Sequence, residues 1–386
     1  MNSQLQIPID LVQRIHDSQT LAVVSVAGAG TAAISWLLGV AGASRTVLEI
    51  SVPYASPALT EFVGYEPTQF VSEETAVAMA KSAYRRALHL REGAAPVVGI
   101  ACTATIATDR TKRGEHRCHI AAWHSIGVNT YNLTFIKGLR DRAGEDEIAS
   151  KLVLRAIAES AGVEFDTDLR LDSSEGVQST AKRYEDPIEA LMTGHIETAI
   201  VRADGSMLAD EPFTGGILSG SFNPLHEGHE ALVETASKML GEPVAYELSV
   251  TNVDKPPLLE GEVRRRVAQF TGKASIVLTR VPVFYEKASL LPGCTFIIGV
   301  DTAVRLFDPR YYGGSASQMM LALEQMRKHN CRFLVAGRAE GNAFRTLSDV
   351  NIPDGFDDML QPIPESAFRS DISSTQIRQA QGAVSA

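Results

Sequence analysis

Apolar and polar positions along this chain alternate between two textures. Short, almost unbroken apolar runs predict strands covered on both faces, and longer runs with apolar residues three and four apart predict helices. In the first half, "LAVVSVAGAG", "TVLEISV", "PVVGIACTATIA", "RCHIAAWHS" and "NTYNLTFI" have the strand texture. "TAAISWLLGV", "SEETAVAMAKSAYRRALHL" and "DEIASKLVLRAIAESAGV" have the helical one, the second opening on Ser72 as an N-cap. Together they predict an α/β domain over residues 1–165.

Between 166 and 212 the pattern breaks. "DTDLRLDSSEGVQSTAKRYEDP" is polar and turn-rich, the composition of a linker, and "HIETAIVRADGSMLAD" predicts a hairpin turning at Asp204-Gly205. From 213 to 386, strands "GGILSG", "AYELSV", "SIVLTR", "CTFIIGV" and "CRFLVAG" alternate with helical segments at 229–240, 260–270 and 315–328. That alternation predicts a parallel sheet with crossover helices, a Rossmann-like second domain. "RFLVAGR" reads as its last core strand.

Composition narrows the function. Of 386 residues, 45% are hydrophobic and 21% charged, as in a globular protein of two domains. A net charge of −10 argues against a nucleic-acid partner, though a basic pocket for a small anion remains compatible with it. The N-terminus is polar, unlike a signal peptide, and no apolar run approaches membrane-spanning length. The four cysteines form no C-x-x-C pair, so a zinc site is not expected, and they are too sparse for a disulfide framework. A cytoplasmic location follows as the expectation.

One stretch carries chemistry: "GILSGSFNPLHEGHEALVETASKML", Gly216 to Leu240. It predicts a strand, a tight turn and a helix start. Gly220 and Ser221 permit close backbone approach. His226 and His229, three apart, fall on one face at the first helical turn, where free N–H groups and the helix dipole favour anions. Two imidazoles there can donate to phosphate oxygens and stabilise charge growing at phosphorus.

"GSFNPLHEGH" resembles the signature of the H-x-G-H nucleotidylyltransferase superfamily, in particular the nicotinamide/nicotinate-mononucleotide adenylyltransferases. "ISSTQIR" resembles the same superfamily's second signature. The resemblance implies His226 and His229 as catalytic residues. It implies a nucleotide cradle of Gly220, Ser221, Phe222, Asn223, Lys255, Gly299, Asp301, Ser373, Ser374, Thr375 and Arg378, of which Gly299 and Asp301 come from "FIIGVDTAVRL". The implied reaction moves AMP from ATP to a mononucleotide and releases pyrophosphate. ATP is a substrate, and Mg2+ is carried on its phosphates with no dedicated protein metal site. The partners are small nucleotides, with neither nucleic acid nor membrane. A cytidylyltransferase acting on another phosphoester, or a non-catalytic nucleotide-binding regulator, are the rival readings. The family's tryptophan near the acceptor ring has no counterpart, since Trp36 and Trp123 lie in the first half; Phe284 and Tyr285 stand in its place.

In the first half, "GAGTAA" fits G-x-G-x-x-A with Glu49 at the end of the next strand, the pattern of a dinucleotide site. The wider stretch from Thr20 to Ala122 is instead similar to the C-terminal domain of the CinA family of nicotinamide-nucleotide amidohydrolases. That resemblance places its nucleophile at Ser25, with Tyr54 as an assisting group, but its lysine position is Leu59. A serine without a base or a nearby cation is a poor nucleophile. The expectation is a degenerate site on a retained fold that serves oligomerisation, docking or sensing.

Overall fold

The computed structural model describes residues 8–109, 113–252, 256–340 and 343–369. The chain is mixed α/β and divides into two compact units, residues 1–185 and 186–386. Among the described residues, no helix is long and apolar enough to cross a membrane.

The first unit holds α1 (Ile9–His16), β1 (Leu21–Ala27), α2 (Thr31–Gly39), β2 (Val47–Ser51), α3 (Ser56–Val63), α4 (Glu73–Leu90), β3 (Val97–Thr105), β4 (His116–His124), β5 (Gly127–Phe135), α5 (Arg142–Ser160) and β6 (Gln178–Arg183). The sheet runs β2-β1-β3-β4-β5-β6, parallel through β2, β1 and β3 and antiparallel beyond. Period-two alternation sends Val24, Val26, Ile100 and Cys102 to one core, packed by α1, α2 and α5. Val23, Ala101 and Ala121 go to the opposite core under α4. Both faces of β1 and β3 are covered, which is why their sequences read as continuous apolar runs. The Ser72 hydroxyl caps α4 by accepting from the Thr75 N–H.

The stretch 166–212 is shared between the units. Residues 178–183 form the exposed, cationic edge strand β6 of the first sheet. The hairpin around Asp204-Gly205 joins the second.

The second unit holds α6 (Pro187–Met192), β7 (Thr198–Val201), β8 (Met207–Ala209), β9 (Gly216–Ser219), α7 (Glu227–Leu240), β10 (Val244–Ser249), α8 (Glu260–Val267), β11 (Ile276–Thr279), α9 (Phe284–Leu290), β12 (Thr295–Gly299), α10 (Val300–Leu306), α11 (Ala316–Lys328), β13 (Arg332–Ala336), β14 (Arg338–Glu340), β15 (Ala343–Arg345) and β16 (Leu360–Ile363). Its sheet runs β16-β13-β12-β9-β10-β11-β7-β8. Six strands, β16 through β11, are parallel, and the hairpin β7–β8 closes one edge antiparallel. β13 is therefore not the last strand, because β16 pairs outside it; "LQPI", with its proline and two exposed positions, lacks the apolar run of a core strand. From β9 the chain moves outward to β10 and β11, then returns to β12 on the other side. The switch in strand order between β9 and β12 opens a crevice at their C-terminal ends, where such sheets bind ligands.

Candidate functional site

That crevice is a cavity of about 590 Å³. Its wall includes Ser219, Gly220, Ser221 and Asn223 from the end of β9 and the loop that follows. The loop then enters α7, with His226 as N-cap residue.

The loop's shape follows from its sequence. A Cβ on Gly220 would stand 2.7 Å from the Phe222 ring, so that ring folds back only because position 220 is bare. Phe222 takes φ +43°, a left-handed conformation costing an aromatic residue roughly 1–3 kcal/mol. Its complete burial opposes that cost, with the ring edge-on to His229, Tyr246 and Phe270 at 5.1, 5.3 and 5.4 Å. The Asn223–Pro224 peptide is cis. Gln269 straddles the turn: its amide nitrogen donates to the Phe222 carbonyl and its oxygen accepts from the Leu225 N–H, both at 2.9 Å. Arg266 donates to the Ser221 carbonyl at 2.8 Å, and Arg265 to the Asn223 side chain at 2.7 Å.

The two imidazoles stack, centroids 3.7 Å apart at 24°. The His226 backbone N–H donates to His229 Nδ1 at 3.3 Å, so in the neutral ring the His229 proton sits on Nε2. Burial, then the neighbouring His226, brings the His229 pKa down to about 4. Burial lowers that of His226 as well, against the pull of Glu230. The half-buried pair is thus neutral at pH 7. His226 Nδ1 has no hydrogen-bond partner among the described residues.

Of the residues read from sequence, the cavity wall gathers Gly220, Ser221, Asn223 and Gly299; His226 and His229 are not part of the wall but follow on the same loop, at the start of α7. Phe222 is a packing residue that shapes the loop. Asp301, in the first turn of α10, is bound by Arg338, with Arg345 3.9 Å away, and is not part of the wall. Gly299 is the N-cap residue of α10. Lys255, Ser373, Ser374, Thr375 and Arg378 lie outside the described residues. Phe284 lines the cavity, whereas Tyr285 packs toward Tyr312 at 5.9 Å. Tyr311 and Tyr312, which sequence reasoning passed over, complete the aromatic side.

Also missed was an ion pair at the cavity's buried end. Lys287 Nζ lies 2.7 Å from Glu247 Oε2, their side chains 6% and 0% exposed, and the Thr279 hydroxyl donates to Glu247 Oε1 at 2.6 Å. A lone acid inside the apolar strand "VAYELS" was the available signal.

In the first unit, Ser25 is fully buried and its hydroxyl has no partner among the described residues, while Tyr54 is 68% exposed. The glycine-rich turn of "GAGTAA" is a packing feature. Gly28 takes φ +89°, and a Cβ there would sit on the Ala104 carbonyl oxygen. The start of α2, where a pyrophosphate would bind, is filled by the Asp146 carboxylate. It accepts from the Thr31 and Ala32 N–H groups at 3.1 Å and from the Thr31 hydroxyl at 2.9 Å. Glu49 is engaged by Arg86. Cys102, Cys118, Cys294 and Cys331 are free and buried, and burial pushes their thiol pKa values up, away from reactivity.

No curated protein matches the sequence. Among solved structures, the chain is similar to the competence/damage inducible protein CihA from Agrobacterium tumefaciens, at 23% identity and a TM-score of 0.32, over 39% of this chain and 93% of that one. It is similar to a competence or damage-inducible protein from Enterobacter asburiae, at 16% identity and 0.32, over 42% and 98%. A competence-damaged protein (CinA) superfamily protein from Escherichia coli is comparable, at 16% and 0.32, over 41% and 92%. Residues 217–380 match the family described as cytidylyltransferase-like, a match that begins in β9 and takes in the histidine loop, the switch-point cavity and the C-terminal signature. The second unit therefore carries a cytidylyltransferase-like region of the nucleotidylyltransferase type.

Proposed function

We propose that the protein transfers AMP from ATP to a mononucleotide such as nicotinate or nicotinamide mononucleotide, with release of pyrophosphate, and that the first unit is non-catalytic. The observation that carries this reading is the stacked, neutral histidine pair at the start of α7, on the same loop that walls the switch-point cavity.

An oxygen of the acceptor's phosphate forms the new bond to the α-phosphorus. The bond to the bridging oxygen breaks, and pyrophosphate departs with that electron pair. The loop N–H groups and His229 Nε2–H donate to the phosphate oxygens as negative charge builds on them. His226 shares that task. Lys255 and the run Ser373, Ser374, Thr375 and Arg378 are assigned to the leaving pyrophosphate. Magnesium enters with the triphosphate as part of the substrate. Among the described residues no three His, Cys, Asp or Glu side chains cluster as ion ligands, and the carboxylate at the cavity wall, Glu247, is already engaged.

The test is pyrophosphate release with ATP or CTP against a panel of mononucleotide and phosphoester acceptors. Turnover with ATP and a pyridine mononucleotide supports the assignment. Turnover with CTP alone moves it to a cytidylyltransferase. Nucleotide binding without turnover, unaltered by His226→Ala, moves it to a regulator.

A further inference from the structure

The cavity's buried end is polar, yet it carries no net charge. Ser219, Glu247 and Lys287 all belong to the cavity wall. Ser219 and Glu247 are register partners across β9 and β10. The Lys287 ammonium sits at the Glu247 carboxylate and 5.2 Å over the Phe284 ring. One of its three N–H groups is spent on Glu247, and no further hydrogen-bond acceptor for the ammonium is found among the described residues. The buried Ser219 hydroxyl has no partner among the described residues, which leaves an unmet hydrogen bond at the same place. Phe284, Tyr311 and Tyr312 add aromatic side chains to the wall. Arg305, exposed and without an ion-pair partner among the described residues, lies at the rim with Ser221.

Resting on the adenylyltransferase reading above, we propose that this end of the cavity selects an acceptor whose planar ring bears an uncharged carboxamide and discriminates against the corresponding carboxylate. The amide carbonyl accepts from Lys287, and its NH2 donates to Ser219 Oγ. A serine hydroxyl serves an amide or a carboxylate equally, so hydrogen bonding does not make the choice. Charge makes it. Glu247 already neutralises Lys287, and a second carboxylate at this depth would be desolvated beside Glu247 with no cation left to balance it. An amide brings no charge to compensate.

The experiment is calorimetric titration of the full-length protein with nicotinamide mononucleotide and with nicotinate mononucleotide, alongside pyrophosphate release. The wild-type protein is expected to bind the amide form at least about tenfold tighter, because the acid form brings a buried charge with no counter-charge. Glu247→Gln keeps the shape and leaves Lys287 uncompensated. Its expected effect is to shift the ratio at least about tenfold toward the acid form. Ser219→Ala should weaken both forms alike and leave the ratio where it was. Equal or tighter binding of the acid form to the wild type overturns the proposal, as does failure to bind either form. So does a ratio unmoved in Glu247→Gln of native circular dichroism, or a Ser219→Ala variant that discriminates differently. Tight, amide-selective binding with no pyrophosphate released leaves the selectivity standing and removes the transferase reading.

Discussion

Acidification should tighten nucleotide binding, and His229 is the reason. In the free protein its pKa is about 4, because burial disfavours the charged ring and His226 adds to the effect. A triphosphate oxygen about 5 Å from the imidazole would supply roughly 3 kcal/mol per unit charge at an effective dielectric near 20. That is about two pKa units, which lifts the bound-state value to about 6. The sign follows from linkage. The complex holds a proton below about pH 6, whereas the free protein takes one only below about 4, so the complex carries more protons in between. Affinity therefore rises as pH falls through that window, about tenfold from pH 7 to pH 5. The assay is calorimetry with a non-hydrolysable ATP analogue in magnesium, repeated in buffers of different ionisation enthalpy to count protons taken up. His229→Gln cannot bind this proton, so its residual pH dependence belongs to the nucleotide and to other groups. If the variant and the wild type show the same slope and the same proton uptake, the histidine does not face the triphosphate and the catalytic assignment fails.

Two further outcomes test the scaffold. Gln269→Leu leaves the Phe222 carbonyl and the Leu225 N–H without their partner. The expected cost is about 2–4 kcal/mol, with kcat for pyrophosphate release falling at least tenfold and nucleotide affinity changing less. An unchanged kcat shows that the loop does not depend on this brace. Ser25→Ala removes a buried hydroxyl that has no partner among the described residues. Unfolding followed through Trp36 and Trp123, both in the first unit, should show stability unchanged or raised by up to about 1 kcal/mol, with turnover intact. A loss of stability or of an amidohydrolase activity would restore a role for that serine.

Apolar texture revealed most of the sheets because the parallel strands are buried on both faces, as in "LAVVSVA" and "TFIIG". It missed β16, an edge strand that needs an apolar side chain on one face only. It also missed α9 and α10, seven residues each, too short to display a helical period. The histidine pair was legible because its spacing and its place before a helix are local properties. The depression of the His229 pKa was not, since it depends on Phe222 folding back over a bare Gly220 against Tyr246 and Phe270 from other elements. The ion pair of Glu247 and Lys287 is the sharper case. The two residues are 40 apart in sequence and meet only because β10 and α9 adjoin the same crevice. Each alone reads as an ordinary charge, one in a strand and one on a helix. An ionised acid in the middle of an apolar strand is costly to bury without a cation or hydrogen-bond donors, so position 247 called for partners, though it did not say which. The histidine loop is thus written in contiguous sequence, whereas the ion pair on the cavity wall is written in the tertiary contacts between β10 and α9.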